Sequence, residues 1–382
     1  MKKKEMPKIS EANILVLATT DNMFTQFLIP HIKDLIEMGA KVDCVCSRTG
    51  PYMDRLVAEG FNVIEIDMQR NPIKLANLKA YKKLKALVKE KGYNLIYCQQ
   101  PVGGMLGRLL GKKFHLPVIY TAHGFFFFKG NNPLKNFVYR SAEKWLSKYT
   151  DVLITMNNED YSAISKWKVP HKYKISGIGV DERRFSEQSF DKEEFRSSLG
   201  IADGAKVVLS VSEVNKNKNY DRMLESIDLL SKKDNNICYL SCGTGVLFDE
   251  MHLKVKKLGL DEKVKVLGYR NDVGKIMQIS DVFFHESHRE GLPISMMEAM
   301  YAHLPVVASN IRGNVDLIDD GKGGFITPCD DTSIQADALG KILHDDTLSQ
   351  SMGDYNAEKV KTFLLSNVRN ELKNIYEEIG LL

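Results

Sequence analysis

Short runs of aliphatic and β-branched residues alternate with longer helix-like segments along the whole chain. Most of these runs are continuously apolar, which favours parallel strands that helices cover on both faces. The pattern predicts strands at residues 13–19, 41–46, 62–67, 94–99, 117–121, 151–156 and 173–176, and a second set at 206–212, 236–242, 263–268, 281–285, 304–309 and 324–327. We therefore predict an α/β protein with two parallel sheets.

A polar segment with two glycines, SGIGVDERRF, separates the two sets of strands. Such a segment predicts a domain boundary, which we place after residue 180. The first Rossmann-like domain then comprises residues 1–180 and the second residues 181–382, and we leave open that the last helix packs back on the first domain. Open parallel sheets bind ligands at the carboxyl ends of their strands, so we expect the two domains to face an interdomain cleft at those edges.

The net charge of +4 hides an asymmetry between the two halves. Residues 1–180 hold 28 Lys and Arg against 15 Asp and Glu, a net +13, whereas residues 181–382 hold 25 against 34, a net −9. A basic surface suits an anionic partner such as nucleic acid, acidic lipid headgroups or a phosphorylated substrate. Solubilising lysines on helix faces would explain part of the same excess without a partner.

The six cysteines form no CxxC pair, and the chain has neither a DxD motif nor clustered histidines. We predict reduced cysteines in the core, no bound metal and no cofactor. No stretch approaches the roughly 20 uncharged apolar residues of a membrane-spanning helix, and the start, MKKKEMPKIS, lacks the apolar core of a secretory signal. We expect the protein to stay in the cytoplasm.

Two glutamates eight residues apart, Glu290 and Glu298, stand out in the segment REGLPISMMEAM. A predicted strand precedes them, and Pro293 suits a first helical position because that position needs no N–H. This order predicts Glu290 on a loop at the carboxyl end of a strand and Glu298 roughly 7–8 Å further along a helix. The free N–H groups at the helix start would form an anion site. Glu290 would then address a sugar and Glu298 a ribose, with a diphosphate between them.

A longer segment, SHREGLPISMMEAMYAHLPVVASNIRG, resembles the S-x-x-E-G…E-A-M-A-x-G-x-P-V-V-A pattern of retaining GT-B glycosyltransferases of family 4. His303 stands where that family usually has glycine, and the residues in register are Ser287, Glu290, Gly291, Glu298, Ala299, Met300, Pro305 and Val306. In the first half, TAHGFFFFKG and EKWLSKYTDVLITMNNEDY resemble the branch that builds capsular and exopolysaccharide repeat units. The resemblance runs from about residue 13 to the C-terminus and implies the GT-B fold.

The resemblance also implies roles for individual residues. It implies that Glu290 is the catalytic carboxylate, that His123 lies at the edge of the donor sugar, and that Glu298 binds the ribose hydroxyls. A lone histidine after a strand is otherwise more often structural. The remaining donor-binding residues are expected to be Lys218, Gly291, Leu292, Pro293 and Ile294 at the diphosphate, and Gly268, Tyr269 and Arg270 at the base.

Two departures from the family leave alternatives open. Glu213 stands where many relatives carry arginine, so Lys216 is a candidate for the missing phosphate contact and could equally serve in place of Lys218. The glycine-rich loop after the first strand is absent, and Thr19, Thr20 and Asp21 take its place as candidate acceptor contacts.

These expectations combine into one enzyme hypothesis and two alternatives. The first is a transferase that moves a hexose or N-acetylhexosamine from a nucleotide diphosphate sugar, with UDP expected, to a polyprenyl-diphosphate-linked glycan. Family precedent implies retention by reaction on one face. A lysine and a helix N-terminus can stabilise the departing diphosphate without a metal, and we expect no nucleic acid partner. The runner-up is a UDP-sugar 2-epimerase of the same fold, and the third is a non-catalytic subunit that binds the nucleotide sugar. The presence of Glu290, Glu298 and Lys218 argues against the third.

Residues 134–148, LKNFVYRSAEKWLSK, place apolar residues and bases at helical spacing after the exposed-looking run Phe125–Phe128. An ordinary buried helix fits this spacing, and so does an interfacial element with bases beside an apolar face. In the second case the first domain would dock on the anionic inner face of the cell membrane and bring the enzyme to its lipid-linked acceptor.

Overall fold

The computed structural model describes residues 4–185 and 190–382, and the chain divides into two compact units. The first unit comprises Met1–Ile178 with Ser366–Leu382, and the second comprises Gly179–Leu365. The division thus falls two residues before the boundary placed from sequence, and the C-terminal residues belong to the first unit.

The described part of the first unit contains a seven-stranded parallel sheet in the order β3-β2-β1-β4-β5-β6-β7. Its strands are β1 (Asn13–Thr20), β2 (Lys41–Ser47), β3 (Asn62–Glu65), β4 (Leu95–Gln99), β5 (Val118–Ala122), β6 (Val152–Thr155) and β7 (His171–Lys174). The helices between them are α1 (Asp21–Met23), α2 (Ile29–Glu37), α3 (Tyr52–Ala58), α4 (Ala76–Lys91), α5 (Pro101–Phe114), α6 (Pro133–Leu146) and α7 (Asn158–Ile164), with a π-helical turn, Phe24–Leu28, before α2. This strand order is that of a Rossmann sheet with one strand added.

Helix α5 lies close to the sheet because glycines form its inner face. A Cβ atom on Gly104 would lie 2.3 Å from the Tyr120 ring, and one on Gly111 would lie 2.1 Å from Val118. Arg108 is fully buried on the same helix, where it lies over the Tyr120 ring and donates to Glu143 of α6 at 2.7 Å. This buried ion pair fixes α6 to the unit.

The second unit repeats the same arrangement with six parallel strands among its described residues, in the order β10-β9-β8-β11-β12-β13. They are β8 (Lys206–Val211), β9 (Ile237–Cys242), β10 (Val264–Gly268), β11 (Val282–His285), β12 (Val306–Ser309) and β13 (Gly324–Thr327). The helices are α8 (Lys192–Ser198), α9 (Tyr220–Lys233), α10 (Phe248–Lys257), α11 (Val273–Gln278), α12 (Ile294–Tyr301), α13 (Asn314–Leu317), α14 (Thr332–Leu343) and α15 (Asp346–Val360). The last helix, α16 (Leu365–Glu378), leads back into the first unit.

The predicted two-sheet α/β fold is confirmed, and every predicted strand lies within two residues of its expected ends. In the second unit, separate hydrophobic clusters cover the two faces of the sheet, as continuously apolar strands require. The order of the strands reverses between β8 and β11, which are hydrogen-bonded neighbours. Ligands of open parallel sheets bind beside such a reversal, at the carboxyl ends of the strands. Among the described residues, no helix has the length and apolar character needed to cross a bilayer.

Candidate active site

Glu290 lies on the loop between β11 and α12, at the carboxyl edge of the second unit's sheet. The loop ends at Pro293, which has an extended backbone (φ −74°, ψ 117°) and is the N-cap residue immediately before α12. The prediction that Pro293 is the first helical residue is therefore wrong by one position, because its extended ψ delays the start of the helix to Ile294. The first N–H groups of α12 have no acceptor within the helix, so they remain able to bind an anion.

The Glu290 side chain forms a compact charged group with two neighbours. Lys218 Nζ donates to Glu290 Oε1 at 2.5 Å, and His285 Nε2 lies 3.1 Å from the same oxygen. Burial alone would raise the pKa of Glu290, but the Lys218 ammonium and the His285 hydrogen bond outweigh it, so this pKa lies well below its ordinary value. Glu290 is thus a carboxylate at neutral pH.

Lys218 reaches Glu290 because two loops are hydrogen-bonded together at the strand reversal. His288 N donates to Asn217 O at 2.8 Å, and Asn217 Nδ2 donates to Arg289 O at 2.9 Å. The turn that carries Lys218, a short 3-10 helix at Lys216–Lys218, is capped by the Asn215 side chain. These hydrogen bonds within and between the two loops therefore set the distance between Lys218 and Glu290.

The two candidate lysines differ clearly in the structure. Lys218 is partly buried and paired with Glu290, whereas Lys216 is exposed and its ammonium makes no hydrogen bond or ion pair with the described residues. Glu213, where the family resemblance led us to expect an arginine, is also exposed. Of the two lysines, Lys218 alone contacts the proposed catalytic carboxylate in the part of the chain that the structure describes.

Glu298 lies on α12, and its side chain is buried. Burial raises the pKa of Glu298, and an ion pair with Arg184 opposes that effect. Arg184 comes from the 3-10 helix Glu182–Arg184 at the start of the second unit. The carboxylate expected to bind a ribose is therefore engaged by a guanidinium in this structure.

The loop between β12 and α13 contacts the main chain of Glu290 and Gly291. Arg312 Nε donates to Glu290 O at 2.9 Å, and a Cβ atom on Gly313 would lie 2.4 Å from Gly291 O. Gly313 has a φ of 81°, which glycine adopts without strain. This close backbone contact positions Gly291, Leu292 and the start of α12.

The turn expected to read a nucleobase follows β10. Gly268 has a φ of 67°, and its carbonyl accepts a hydrogen bond from Gly243 N at 2.7 Å. Arg270 forms a bidentate pair with Asp272, at 2.8 and 2.6 Å, so its charged group is already engaged. Tyr269 is 58% exposed, so its side chain is open to a ligand.

A buried carboxyl group beside the site was missed in the sequence. Glu286 follows β11 directly and is fully buried, where it accepts hydrogen bonds from Thr327 Oγ1 at 2.7 Å and Gln335 Nε2 at 3.1 Å. Burial raises the pKa of Glu286 well above its ordinary value. The polar run HES at the end of an apolar strand was the signal for this group.

Three residues of types that can bind a metal lie close together near the loop between β11 and α12. His288, Cys329 and Asp330 place one ligand atom each within 4.8 Å of one another, and His288 Nδ1 lies 3.2 Å from Cys329 Sγ. Five cysteines are buried as predicted, but Cys329 is only partly buried, because it lies in the turn after β13 rather than in a strand. No local sequence pattern predicts this cluster, since His288 and Cys329 are 41 residues apart.

In the first unit, His123 follows β5 and donates from Nε2 to Gln99 Oε1 at 2.8 Å. Burial lowers the pKa of His123 to about 3, and the nearby His31 adds to the effect. Both histidines line a cavity of about 20 Å³, which is enough for one water molecule. His123 is therefore neutral at physiological pH, with Nε2 as its hydrogen-bond donor.

The three candidate acceptor residues are buried at the end of β1. Thr19 N donates to Gln100 Oε1, and Thr19 Oγ1 accepts from Gly103 N. Asp21 Oδ1 accepts from Thr49 N at 3.1 Å and from the Thr49 hydroxyl, while Asp21 Oδ2 has no partner among the described residues. α1 begins at Asp21, where the family resemblance led us to expect a glycine-rich loop.

The structure corrects one expectation about the Phe125–Phe128 run and separates the two interpretations of α6. Phe125 and Phe127 are buried and stacked at 4.8 Å, so the run is not exposed throughout. By contrast, the buried residues of α6 are Glu143 and Leu146, and several of its large apolar side chains are exposed. An ordinary buried helix therefore does not describe α6.

Comparison with known proteins connects these two sheets with one enzyme family. The profile of "Glycosyl transferases group 1" matches residues 191–359, and that of "Glycosyl transferase 4-like" matches residues 13–158. A Bacillus subtilis (strain 168) protein, EpsD, to which glycosyltransferase activity is ascribed, is 32% identical over 95% of this chain and 96% of its own. The chain belongs to the group 1 glycosyltransferases.

Other glycosyltransferases are similar over most of this chain. The Escherichia coli UDP-Gal:alpha-D-GlcNAc-diphosphoundecaprenol alpha-1,3-galactosyltransferase is 26% identical over 88% of both chains. Among solved structures, Anabaena HepE in complex with UDP and glucose aligns over 96% of this chain and 100% of its own, with a TM-score of 0.80 and 18% identity. Sucrose-phosphate synthase from Thermosynechococcus elongatus aligns over 97% of this chain and 99% of its own, with a TM-score of 0.78 and 16% identity. These structural matches support the GT-B fold of this glycosyltransferase.

Proposed function

We propose that this glycosyltransferase is a retaining enzyme that moves a hexose or N-acetylhexosamine from a UDP-sugar to a polyprenyl-diphosphate-linked glycan in capsular or exopolysaccharide assembly. The observation that carries the proposal is the Lys218–Glu290 pair, which lies at the strand reversal of the second unit beside the start of α12. The named substrates of the E. coli relative and the UDP bound to HepE support the choice of donor and acceptor class.

In this proposal the second unit binds the donor, and Lys218 with the loop Gly291–Ile294 holds the diphosphate. Negative charge grows on that diphosphate as the bond to the sugar breaks, so a lysine and a helix N-terminus aimed at it lower the barrier. These groups make a divalent metal unnecessary. Lys216 is exposed and makes no hydrogen bond or ion pair with Glu290, so we assign it no direct part in the Lys218–Glu290 pair.

Glu290 is proposed to act as a carboxylate and not as a proton donor. Its lowered pKa keeps it ionised at neutral pH, where it can accept hydrogen bonds from the donor sugar and stabilise positive charge at the anomeric carbon. Double displacement would use a second carboxyl group nearby. Glu286 is a poor candidate, because it is buried and both of its oxygens are hydrogen-bonded to other side chains. We therefore favour reaction on one face, in which the departing phosphate accepts the acceptor's proton.

The proposed nucleoside contacts involve one rearrangement. Glu298 is assigned to the ribose hydroxyls, and its guanidinium partner Arg184 must shift or share the carboxylate when ribose binds. For the base, the exposed Tyr269 ring and the backbone of the turn are available, whereas the Arg270 side chain is held by Asp272.

The first unit is proposed to bind the acceptor. Neutral His123, oriented by Gln99, can hydrogen-bond a sugar hydroxyl, and Asp21 Oδ2 is a buried oxygen without a partner among the described residues. Both residues follow strands at the carboxyl edge of this sheet.

We also propose that this unit docks on the cytoplasmic leaflet of the membrane through α6. Lys135, Arg140, Lys144 and Lys148 are exposed beside the apolar residues of this segment. Each base near an anionic surface contributes about 1 kcal/mol, and the attraction weakens with salt. Co-sedimentation with anionic vesicles should fall with added salt and when these four residues are neutralised. Equal binding to neutral vesicles would overturn electrostatic docking.

One assay tests the activity against its alternatives. The protein is incubated with a panel of nucleotide sugars, with and without lipid-linked acceptor, and the products are separated. Release of UDP that depends on the acceptor, together with a glycosylated lipid of retained configuration, supports the proposal. A changed nucleotide sugar without acceptor would indicate the epimerase, which the relatives named above do not support, and binding without turnover would indicate a non-catalytic subunit.

A further inference from the structure

The first unit carries an apolar surface pocket of about 480 Å³ beside α6. Its apolar wall consists of Phe127 and Phe128 from the turn after β5, Phe137 from α6 and Ala163 from α7. This volume lies within the roughly 300–1,000 Å³ range of pockets that bind small ligands. The pocket has no role in the donor chemistry described above.

The surface next to the pocket is apolar as well. Leu134 and Phe137 are 72% and 71% exposed, and Val138 and Trp145 on the same helix are 54% and 45% exposed. Asn132 caps the start of α6, and Glu143 ties its far end to Arg108 inside the unit. The apolar residues are thus presented on a fixed helix.

Two cations lie at the rim of this pocket. Lys129 and Arg140 are both exposed lining residues, and neither side chain forms an ion pair with the described residues. Glu159 also lines the pocket, but its carboxylate accepts a hydrogen bond from the Lys129 backbone N–H at 2.8 Å. Arginine and lysine bind phosphate oxygens, and arginine can do so with two parallel hydrogen bonds.

An apolar pocket with two cations at its rim matches a ligand in which a hydrocarbon chain is joined to a diphosphate. We propose that this pocket binds the lipid carrier of the acceptor, with isoprene units between Phe127, Phe128 and Phe137 and the diphosphate on Arg140 and Lys129. The assignment of the lipid to the acceptor rests on the proposed function. Because Phe127 follows His123 by four residues, the same turn that forms the pocket leads from the edge where the acceptor sugar is proposed to bind.

The binding test uses geranylgeranyl diphosphate as the probe and the full chain without membranes. Phe137→Ser and Arg140→Gln should each weaken probe binding at least tenfold, measured by titration calorimetry. Leu134→Ser and Lys113→Gln are matched controls, since Leu134 is 72% exposed against 71% for Phe137, Lys113 is an exposed base on α5, and neither control residue lines the pocket. The controls should change the affinity less than threefold, and all four variants should bind UDP as the parent does.

Comparator ligands identify what the pocket recognises. Geranylgeraniol should bind more weakly than its diphosphate to the parent protein, and Arg140→Gln should remove most of that difference. Equal losses of probe affinity in the pocket and control variants would show a general apolar surface and overturn the proposal. If the probe binds as expected while no sugar is transferred to any lipid acceptor, the pocket stands and the proposed function fails.

Discussion

Replacing Lys218 by methionine separates its expected role at the leaving diphosphate from its role in the folded state. The ion pair with Glu290 is largely buried, with side-chain exposures of 18% and 12%. Removing one partner of a fully buried pair costs 3–5 kcal/mol, and the remaining exposure and the His285 contact reduce this to about 2 kcal/mol here. Loss of one preorganised donor to a developing anion lowers kcat by about 10²–10³, which corresponds to about 2.7–4 kcal/mol.

The assay measures UDP release at saturating acceptor together with thermal unfolding. Lys218→Met should lower kcat about 10²–10³-fold, and a loss of about 2 kcal/mol should lower the Tm by roughly 4–8 °C for a domain of this size. Lys216→Met is the matched control from the same turn, and it should stay within about threefold of the parent because the Lys216 ammonium has no partner in the described structure. Equal kcat losses in both variants, or a loss in Lys216→Met alone, would refute the reasoning.

The stability effect should also depend on pH in a defined direction. Lys218 helps to lower the pKa of Glu290 in the folded state, so the pair contributes stability above the unfolded pKa of about 4.5 and loses it as pH falls towards the lowered folded pKa. The Tm difference between parent and Lys218→Met should therefore be largest near neutral pH and shrink below about pH 4.5. A difference that grows on acidification would contradict the proposed electrostatic coupling.

Three further predictions address the neighbouring groups. Glu290→Gln should lower kcat by about 10²-fold or more, whereas Glu298→Gln should chiefly raise the donor KM, and near-parent turnover in Glu290→Gln would remove its catalytic assignment. Glu286→Gln should gain stability relative to the parent as pH rises above about 4.5, by at most about 1.4 kcal/mol per pH unit, because burial raises the pKa of Glu286 in the folded state and the folded parent loses stability as pH rises towards that raised pKa. A Tm difference between Glu286→Gln and the parent that does not change with pH would disprove this prediction. Transfer should persist in excess EDTA, and activity lost to the chelator and restored by magnesium or manganese would contradict the role given to Lys218.

Local patterning explains why the strands and the position of Glu290 were predictable. A continuously apolar run and the polar segment that follows it define a buried strand and its end without reference to the rest of the chain. The loop position of Glu290 and the helical position of Glu298 follow from that local order alone. The one-residue error at Pro293 arose because proline fits both the cap and the first helical position, and its ψ angle decides between them.

The choice between Lys216 and Lys218 lay beyond the sequence. Both lysines are in the same turn, and the difference between them depends on a carboxylate 72 residues further along the chain. The pairing of β8 with β11 brings that carboxylate close, and hydrogen bonds of Asn217 to the loop that carries Glu290 then select Lys218. The hydrogen bond of Glu286 to Thr327 and the contact of His288 with Cys329 also join residues that are distant in the chain, in both cases 41 positions apart.

The sequence by itself determined the two parallel sheets, the loop at which the donor chemistry is proposed, and the glycosyltransferase family that its motifs resemble, because each rests on residues close together in the chain. Tertiary structure alone decided which charges are paired, which carboxyl groups have altered pKa values, and that the apolar residues of α6 face outward beside a pocket with Arg140 at its rim. Periodicity can place an apolar side chain on one face of a helix. Whether that face is covered depends on distant elements packing against it, which a local pattern does not encode.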